Sequence, residues 1–175
     1  MRTALLVTGA PGVGKTTLVR AVLAALPKRA GGFVTEEIRE KGQRVGFRVC
    51  GLDGSSAVLA HVRAVRGPRV GRYQVDVAAF EAVGVSALDA ATREADLIVV
   101  DEIGKMELCS RRFVDALETA LRSPKPFLGT VLQAPHPWID ALKRRPEVEL
   151  YRLSERNRTD LQDALLARLS AEVLR

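Results

Sequence analysis

Eight consecutive residues carry the strongest chemical signal in the chain. Gly9, Ala10, Pro11, Gly12, Val13, Gly14, Lys15 and Thr16 fit G-x-x-x-x-G-K-[ST] at every fixed position. Glycines let the backbone curl so that successive N–H groups face phosphate oxygens, and the positive end of the following helix adds to the attraction. In such a loop Lys15 reaches the β- and γ-phosphates and the Thr16 hydroxyl ligates Mg²⁺. At this chain's own frequencies of Gly, Lys, Ser and Thr, the pattern arises by accident in roughly 0.3% of such chains. The expected nucleotide-binding run covers Thr8 to Thr17, within which Thr17 reads as the first packing residue of the helix.

A phosphate loop binds, but it does not say what becomes of the phosphate. The second informative site is Asp101-Glu102, closing the apolar run Leu97-Ile98-Val99-Val100. Open α/β sheets place their ligands at such strand ends. Asp101 is the expected metal acid, holding Mg²⁺ through a coordinated water, with Thr16 the other metal residue. One residue further, a carboxylate can orient or deprotonate a water aimed at the γ-phosphorus, which favours hydrolysis. A solvated strand end, or an ion pair with Lys105, would place Glu102 there equally well.

Other candidates carry bland alternatives. Lys105 and Glu107 continue the acidic loop as a phosphate contact or as the closure of the next helix. Thr130, a lone polar residue after Gly129 in the run Phe127 to Leu132, faces the γ-phosphate or is an ordinary β-branched strand residue. Arg156-Asn157-Arg158 follows the last expected strand. There Arg158 would stack on a nucleobase edge with Asn157 bracing the loop, or Asn157 is simply a turn residue. The assisting arginine, if one exists, is to be sought among Arg39, Arg48, Arg111 and Arg158.

The elements that must position these groups follow from periodicity. Leu5 to Thr8 reads as a strand, and Leu18, Val19, Val22, Leu23 and Leu26 repeat at helical spacing after the glycine loop. Phe33 to Arg39 and Val45 to Val49, around the turn pair Lys41-Gly42, form an antiparallel hairpin. Asp76 can cap a helix through about Ala95, and residues 96–101 then make a strand buried on both faces. Ser110 caps a helix ended by Pro124, a short helix spans about Trp138 to Arg144, and Val148 to Leu153 is one more strand. Thr159-Asp160-Leu161-Gln162 is a capping box for the last helix. The sum is an α/β fold with a mostly parallel sheet, helices on both sides and an inserted antiparallel β-hairpin.

Composition bounds the rest. The chain has 175 residues, 47% hydrophobic and 27% charged, which suits one globular domain over 1–175 with an elaborated segment at about 31–73. Of 27 basic residues only six are lysines, and the net charge is +6. Arginine suits bidentate contact with phosphate. Aromatic residues amount to only 5%, without the interleaved platform that single-stranded nucleic acid requires, so a nucleic-acid track is disfavoured. Cys50 and Cys109 lack metal or disulfide spacing and read as buried, reduced thiols. The opening residues hold too few apolar side chains for a leader, and no run is long enough for a membrane span, so a cytoplasmic location is expected. Oligomeric state is left open, with a monomer possible.

Together, residues 8 to 17, the Gly31 to Arg39 hairpin strand with Gly46 to Val49, the block Asp101, Glu102, Ile103, Gly104, Lys105, Met106, Glu107, Leu108, the run Gly129 to Val131 with His136-Pro137, and Asn157-Arg158 resemble the nucleoside-triphosphatase family called THEP1. The match runs over nearly the whole chain. The resemblance implies a RecA-like, three-layer P-loop fold and Mg²⁺-dependent hydrolysis of nucleoside triphosphates with loose base preference. It also implies nucleotide contacts at 8 to 16 and at 101 to 108. Two rival functions stay in view: a nucleotide or small-molecule kinase, with Arg39, Arg44, Arg48 and Arg72 gripping an acceptor, and a nucleotide-gated, nucleic-acid-associated ATPase. An Arg-rich lid is not evident for the first.

Overall fold

The computed structural model describes residues 3–173, so the extreme ends of the expected 1–175 domain lie outside the described residues. Nine strands form one sheet in the order β5-β6-β4-β3-β2-β7-β8-β1-β9. β1 (Ala4–Thr8), β2 (Ala30–Glu40), β7 (Leu97–Ile103), β8 (Phe127–Val131) and β9 (Val148–Arg152) pair in parallel. β3 (Gln43–Gly51), β4 (Ser56–His61), β5 (Arg69–Val70) and β6 (Tyr73–Val75) extend the sheet antiparallel from β2. The expected hairpin is β2–β3, tightened at Lys41 and Gly42, both at positive φ. The elaboration is larger than that hairpin, because β4, β5 and β6 continue it to Val75.

Alternation along the parallel strands feeds two apolar layers. Leu6, Ile98, Val100 and Phe127 face α3 (Ser86–Glu94) and α4 (Arg111–Arg122) through Leu88, Phe113 and Leu117. Leu5, Val7, Val99 and Leu128 face α1 (Lys15–Ala25) and α6 (Arg158–Val173) through Leu18, Val19, Val22, Leu161, Leu165 and Leu169. All five residues of β1 are buried, as a parallel strand covered on both faces requires. Phe33, Phe80 and Phe113 meet edge-on at centroid separations of 5.3 to 6.0 Å, so that β2, α2 (Val77–Phe80) and α4 are locked together. Each such pair contributes about 1 kcal/mol beyond area burial.

β2 has to leave its parallel partner and enter the hairpin, and Gly32 sits at that passage. Its φ is +109°, and a Cβ there would lie 2.0 Å from the Val99 carbonyl oxygen, so no side chain fits. Asp76 caps the next helical stretch, accepting from Ala79 N at 2.9 Å. That stretch is continuous, but a π turn at Glu81–Val85 separates α2 from α3. Ser110 accepts from Phe113 N at 3.0 Å and donates to Glu81 at 2.7 Å, tying the cap of α4 to that turn. α5 spans Pro137–Lys143. No helix among the described residues is long and apolar enough to cross a membrane. Cys50 and Cys109 are free but half-buried, more open than their composition suggested.

Candidate active site

The groups that the sequence spread over a hundred positions converge at the C-terminal ends of β1, β7 and β8. The glycine loop with Lys15 and Thr16, and Asp101, Glu102, Lys105 and Glu107, line a cleft of about 1060 Å³. β1 delivers the chain into the glycine loop, where Gly12 and Gly14 lie at φ +76° and +102°. Gly14 caps α1 without any side-chain acceptor, and the first turn of the helix contains no acidic residue. Its unpaired N–H groups and positive dipole end therefore meet no carboxylate of the helix itself, which favours a phosphate there. Lys15 is held low over the loop, donating to Gly9 O at 3.0 Å and Ala10 O at 3.4 Å.

Lys15 also closes on the acids. Its Nζ lies 3.7 Å from Glu102 Oε2, which settles the ion-pair question: Glu102 faces the phosphate-loop lysine, whereas Lys105 is exposed on the cleft wall. β7 runs past Asp101 to Ile103, and its register with β8 shifts between Val100 and Ile103, so the acidic pair stands at an irregularity. Asp101 is buried and accepts from Thr130 on the neighbouring strand, with the Thr16 hydroxyl close enough to act on it. Thr130 thus holds the acid rather than facing the cleft. Burial pushes the Asp101 carboxyl up, against the Thr130 hydrogen bond, the nearby Thr16 hydroxyl and the charge of Lys15. Burial also raises Glu102, opposed by Lys15 and reinforced by Asp101.

The second oxygen of Asp101, Oδ2, is buried with no hydrogen-bond partner. An orphaned carboxylate oxygen beside a threonine hydroxyl fits a hard cation taking oxygen ligands. Asp101 and Thr16 are the residues able to hold one.

Glu107, expected as a loop residue, is buried instead. Its carboxyl and that of Glu102 both lie within about 3 Å of where a Gly104 Cβ would stand, at 3.0 and 2.9 Å. Burial first, then the charge of Glu102, push Glu107 up to about 8. A carboxyl raised on folding holds its proton more tightly in the native state, so its contribution is complete below pH 4.5 and is lost as pH rises through about 8. In Glu107→Gln that fall should flatten. Melting temperatures of parent and variant, followed from about pH 5 to about pH 9, should converge at the acid end and favour the variant at the alkaline end.

Several sequence readings change. Thr17 is exposed and lines the cleft, and packing in α1 begins at Leu18. The last helix opens at Arg158, not after Thr159, so Thr159 and Asp160 lie in its first turn and no capping box forms. Asn157 is a brace: its Oδ1 accepts from Ser154 N at 2.8 Å and its Nδ2 donates to Arg152 O at 2.9 Å. Arg158 reaches the phosphate loop itself, donating to Val13 O at 2.7 Å. Its guanidinium lies 2.5 Å from where a Gly14 Cβ would be, a second reason for glycine there. Of the arginine candidates, Arg39 lines the cleft, whereas Arg48 and Arg111 do not. Arg20 also lines it and pairs with Glu36. It lies one helical turn beyond Thr16, a spacing that could have revealed it.

A mostly parallel sheet with a glycine loop between its first strand and first helix, and an acid at the end of a nearby parallel strand, defines a P-loop nucleotide-binding domain. The family model for NTPase matches residues 4–166, and the chain belongs to that family. It is 43% identical over 163 residues to nucleoside-triphosphatase THEP1 of Thermotoga maritima, covering 93% of each chain. It is 38% identical over 171 residues to the protein of the same name from Methanocaldococcus jannaschii, covering 95% of this chain and 97% of that one. Among solved structures, THEP1 from Aquifex aeolicus superposes with a TM-score of 0.88 at 36% identity, covering 95% and 99%. The solution structure of a human cancer-related nucleoside triphosphatase gives 0.77 at 32%, covering 98% of both.

Proposed function

We propose that this protein hydrolyses nucleoside 5'-triphosphates to diphosphate and phosphate, with Mg²⁺ and with little selection among bases. The observation that carries the reading is the meeting of Lys15, Glu102 and the half-satisfied Asp101 in one cleft, with Lys15 and Glu102 3.7 Å apart. Family membership and the names of the relatives support the reaction class.

In this reading the loop N–H groups from Gly9 to Thr16 and the Lys15 ammonium grip the phosphates and stabilise charge developing on the transferred group. Thr8 and Thr17 flank that grip. Thr16 and Asp101 hold Mg²⁺, which when bound neutralises phosphate oxygen charge. Glu102 orients a water and takes its proton, and the loop through Ile103, Gly104, Lys105, Met106, Glu107 and Leu108 shapes the wall around it. Arg158 braces the loop from the far side, with Asn157 fixing the turn that presents it. In this reading the cytoplasm supplies both the substrates and the metal.

The test is phosphate release from ATP, GTP, CTP and UTP with Mg²⁺ and no added acceptor. Rates within about tenfold of one another are expected. Release from one base alone, or none without an acceptor, would overturn the reading.

A further inference from the structure

The cleft does not end at the acids. Its far half runs along the antiparallel extension, where Glu37, Arg39, Arg44, Phe47, Leu59 and Val70 line it. In the strand order β9, which leads to Arg158, stands on one side of β1, whereas β7, β2 and β3 stand on the other. A ligand in the far half is therefore on the Glu102 side of the phosphate loop, remote from Arg158.

This wall is built and braced. Glu37 and Phe47 are directly paired across β2 and β3, so the carboxylate and the ring share a face. The Arg44 guanidinium lies 5.2 Å from the centroid of the Phe47 ring and donates to Glu37 at 3.1 Å and to the Tyr73 hydroxyl at 3.0 Å. Arg39 donates to the other oxygen of Glu37 at 2.8 Å. Tyr73 packs edge-on against Phe47 at 5.2 Å. One carboxylate between two guanidinium groups leaves a positive excess, and each guanidinium keeps donors beyond those used here. The Arg39 and Arg44 charges, with their hydrogen bonds, hold Glu37 below the ordinary glutamate range despite the opposing cost of burial. The result is a fixed acceptor between fixed donors, above a floor of one aromatic and two aliphatic side chains.

We propose that the far half is a second ligand site, for a planar heteroaromatic ring carrying an anionic group, of the nucleoside monophosphate class. The proposal rests on the reading of the near half as the triphosphate site. The ring packs on Phe47, Leu59 and Val70, Glu37 accepts from ring N–H groups, and the spare donors of Arg39 and Arg44 take the anionic group. Because the side chains are already held in place, little ordering cost opposes binding. The Arg39–Glu37–Arg44 array lies on β2 and β3, outside the Gly9 to Thr16 loop that grips the phosphates.

The test keeps the near half filled. Protein saturated with Mg²⁺ and the β,γ-methylene analogue of ATP is titrated by calorimetry and saturation-transfer NMR with AMP, GMP, CMP, UMP and adenosine. At least one monophosphate is expected to bind while the analogue stays bound, about tenfold more tightly than adenosine. Arg44→Gln and Arg39→Gln should each weaken that binding about tenfold. Arg39 is exposed, so its variant retains the fold should Arg44→Gln lose it. Displacement of the analogue by every monophosphate that binds, binding of none at millimolar concentration, or equal affinity for adenosine and AMP overturns the second site. Phosphate release from ATP alone, on the same preparation, reads the hydrolytic assignment independently: release with no monophosphate binding sinks only the second site.

Discussion

Glu102→Gln is expected to bind Mg²⁺-nucleotide within a few-fold of the parent and to release phosphate about 10² to 10⁴ times more slowly. The substitution keeps the shape of the side chain beside Lys15 and Gly104. It removes only the ability to take a proton and the negative charge facing the lysine. Lys15 then keeps its contacts to Gly9 and Ala10 and remains free to attract phosphate. Burial raises the Glu102 carboxyl, so in the parent the acid limb of phosphate release should lie above the range of an ordinary glutamate, and the variant should lack that limb. Equilibrium binding of a fluorescent nucleotide together with single-turnover phosphate release separates the two effects. Release at the parental rate would remove Glu102 from its role.

The phosphate loop was legible because its chemistry is local: eight adjacent residues impose the turn, the helix start and the lysine. Asp101 was legible for a related reason, since an apolar run long enough for a doubly buried strand has to end in something polar at the sheet's ligand-bearing edge. What escaped depends on long-range packing. Arg158 meets Val13 at a sequence separation of 145, and nothing near Arg158 announces that contact. Glu107 gives no sequence sign of burial, because its desolvation comes from a loop that folds back on Glu102. The capping box failed because Thr159 and Gln162 satisfy the pattern while Asn157 and its bonds to Ser154 and Arg152 fix an earlier helix start. β5, with two residues, and β6, with three, are too short for any period to show, so only the first hairpin of the extension could be read.

Lys15→Ala should have the opposite profile to Glu102→Gln, losing binding and turnover together. A charged hydrogen bond to phosphate is worth about 3 kcal/mol, or roughly a hundredfold in affinity. Turnover should fall further, because the same ammonium faces the charge that develops on the transferred group. A second consequence is particular to this site. Lys15 is the cation that lowers the Glu102 carboxyl against its burial, and Asp101 and Glu107 stand close by as further acids. Without the lysine, Glu102 titrates higher still, so whatever activity remains should show an acid limb displaced to higher pH than in the parent. Lys15→Arg separates charge from shape. It restores a cation near Glu102 and should return the limb toward its original position. A planar guanidinium does not reproduce a compact ammonium seated on the Gly9 and Ala10 carbonyls, so affinity should recover only in part. Nucleotide dissociation constants and pH profiles for the parent and both variants measure this directly. An acid limb that stays fixed in Lys15→Ala would show that Lys15 does not set the charge on Glu102, and would confine the lysine to gripping phosphate.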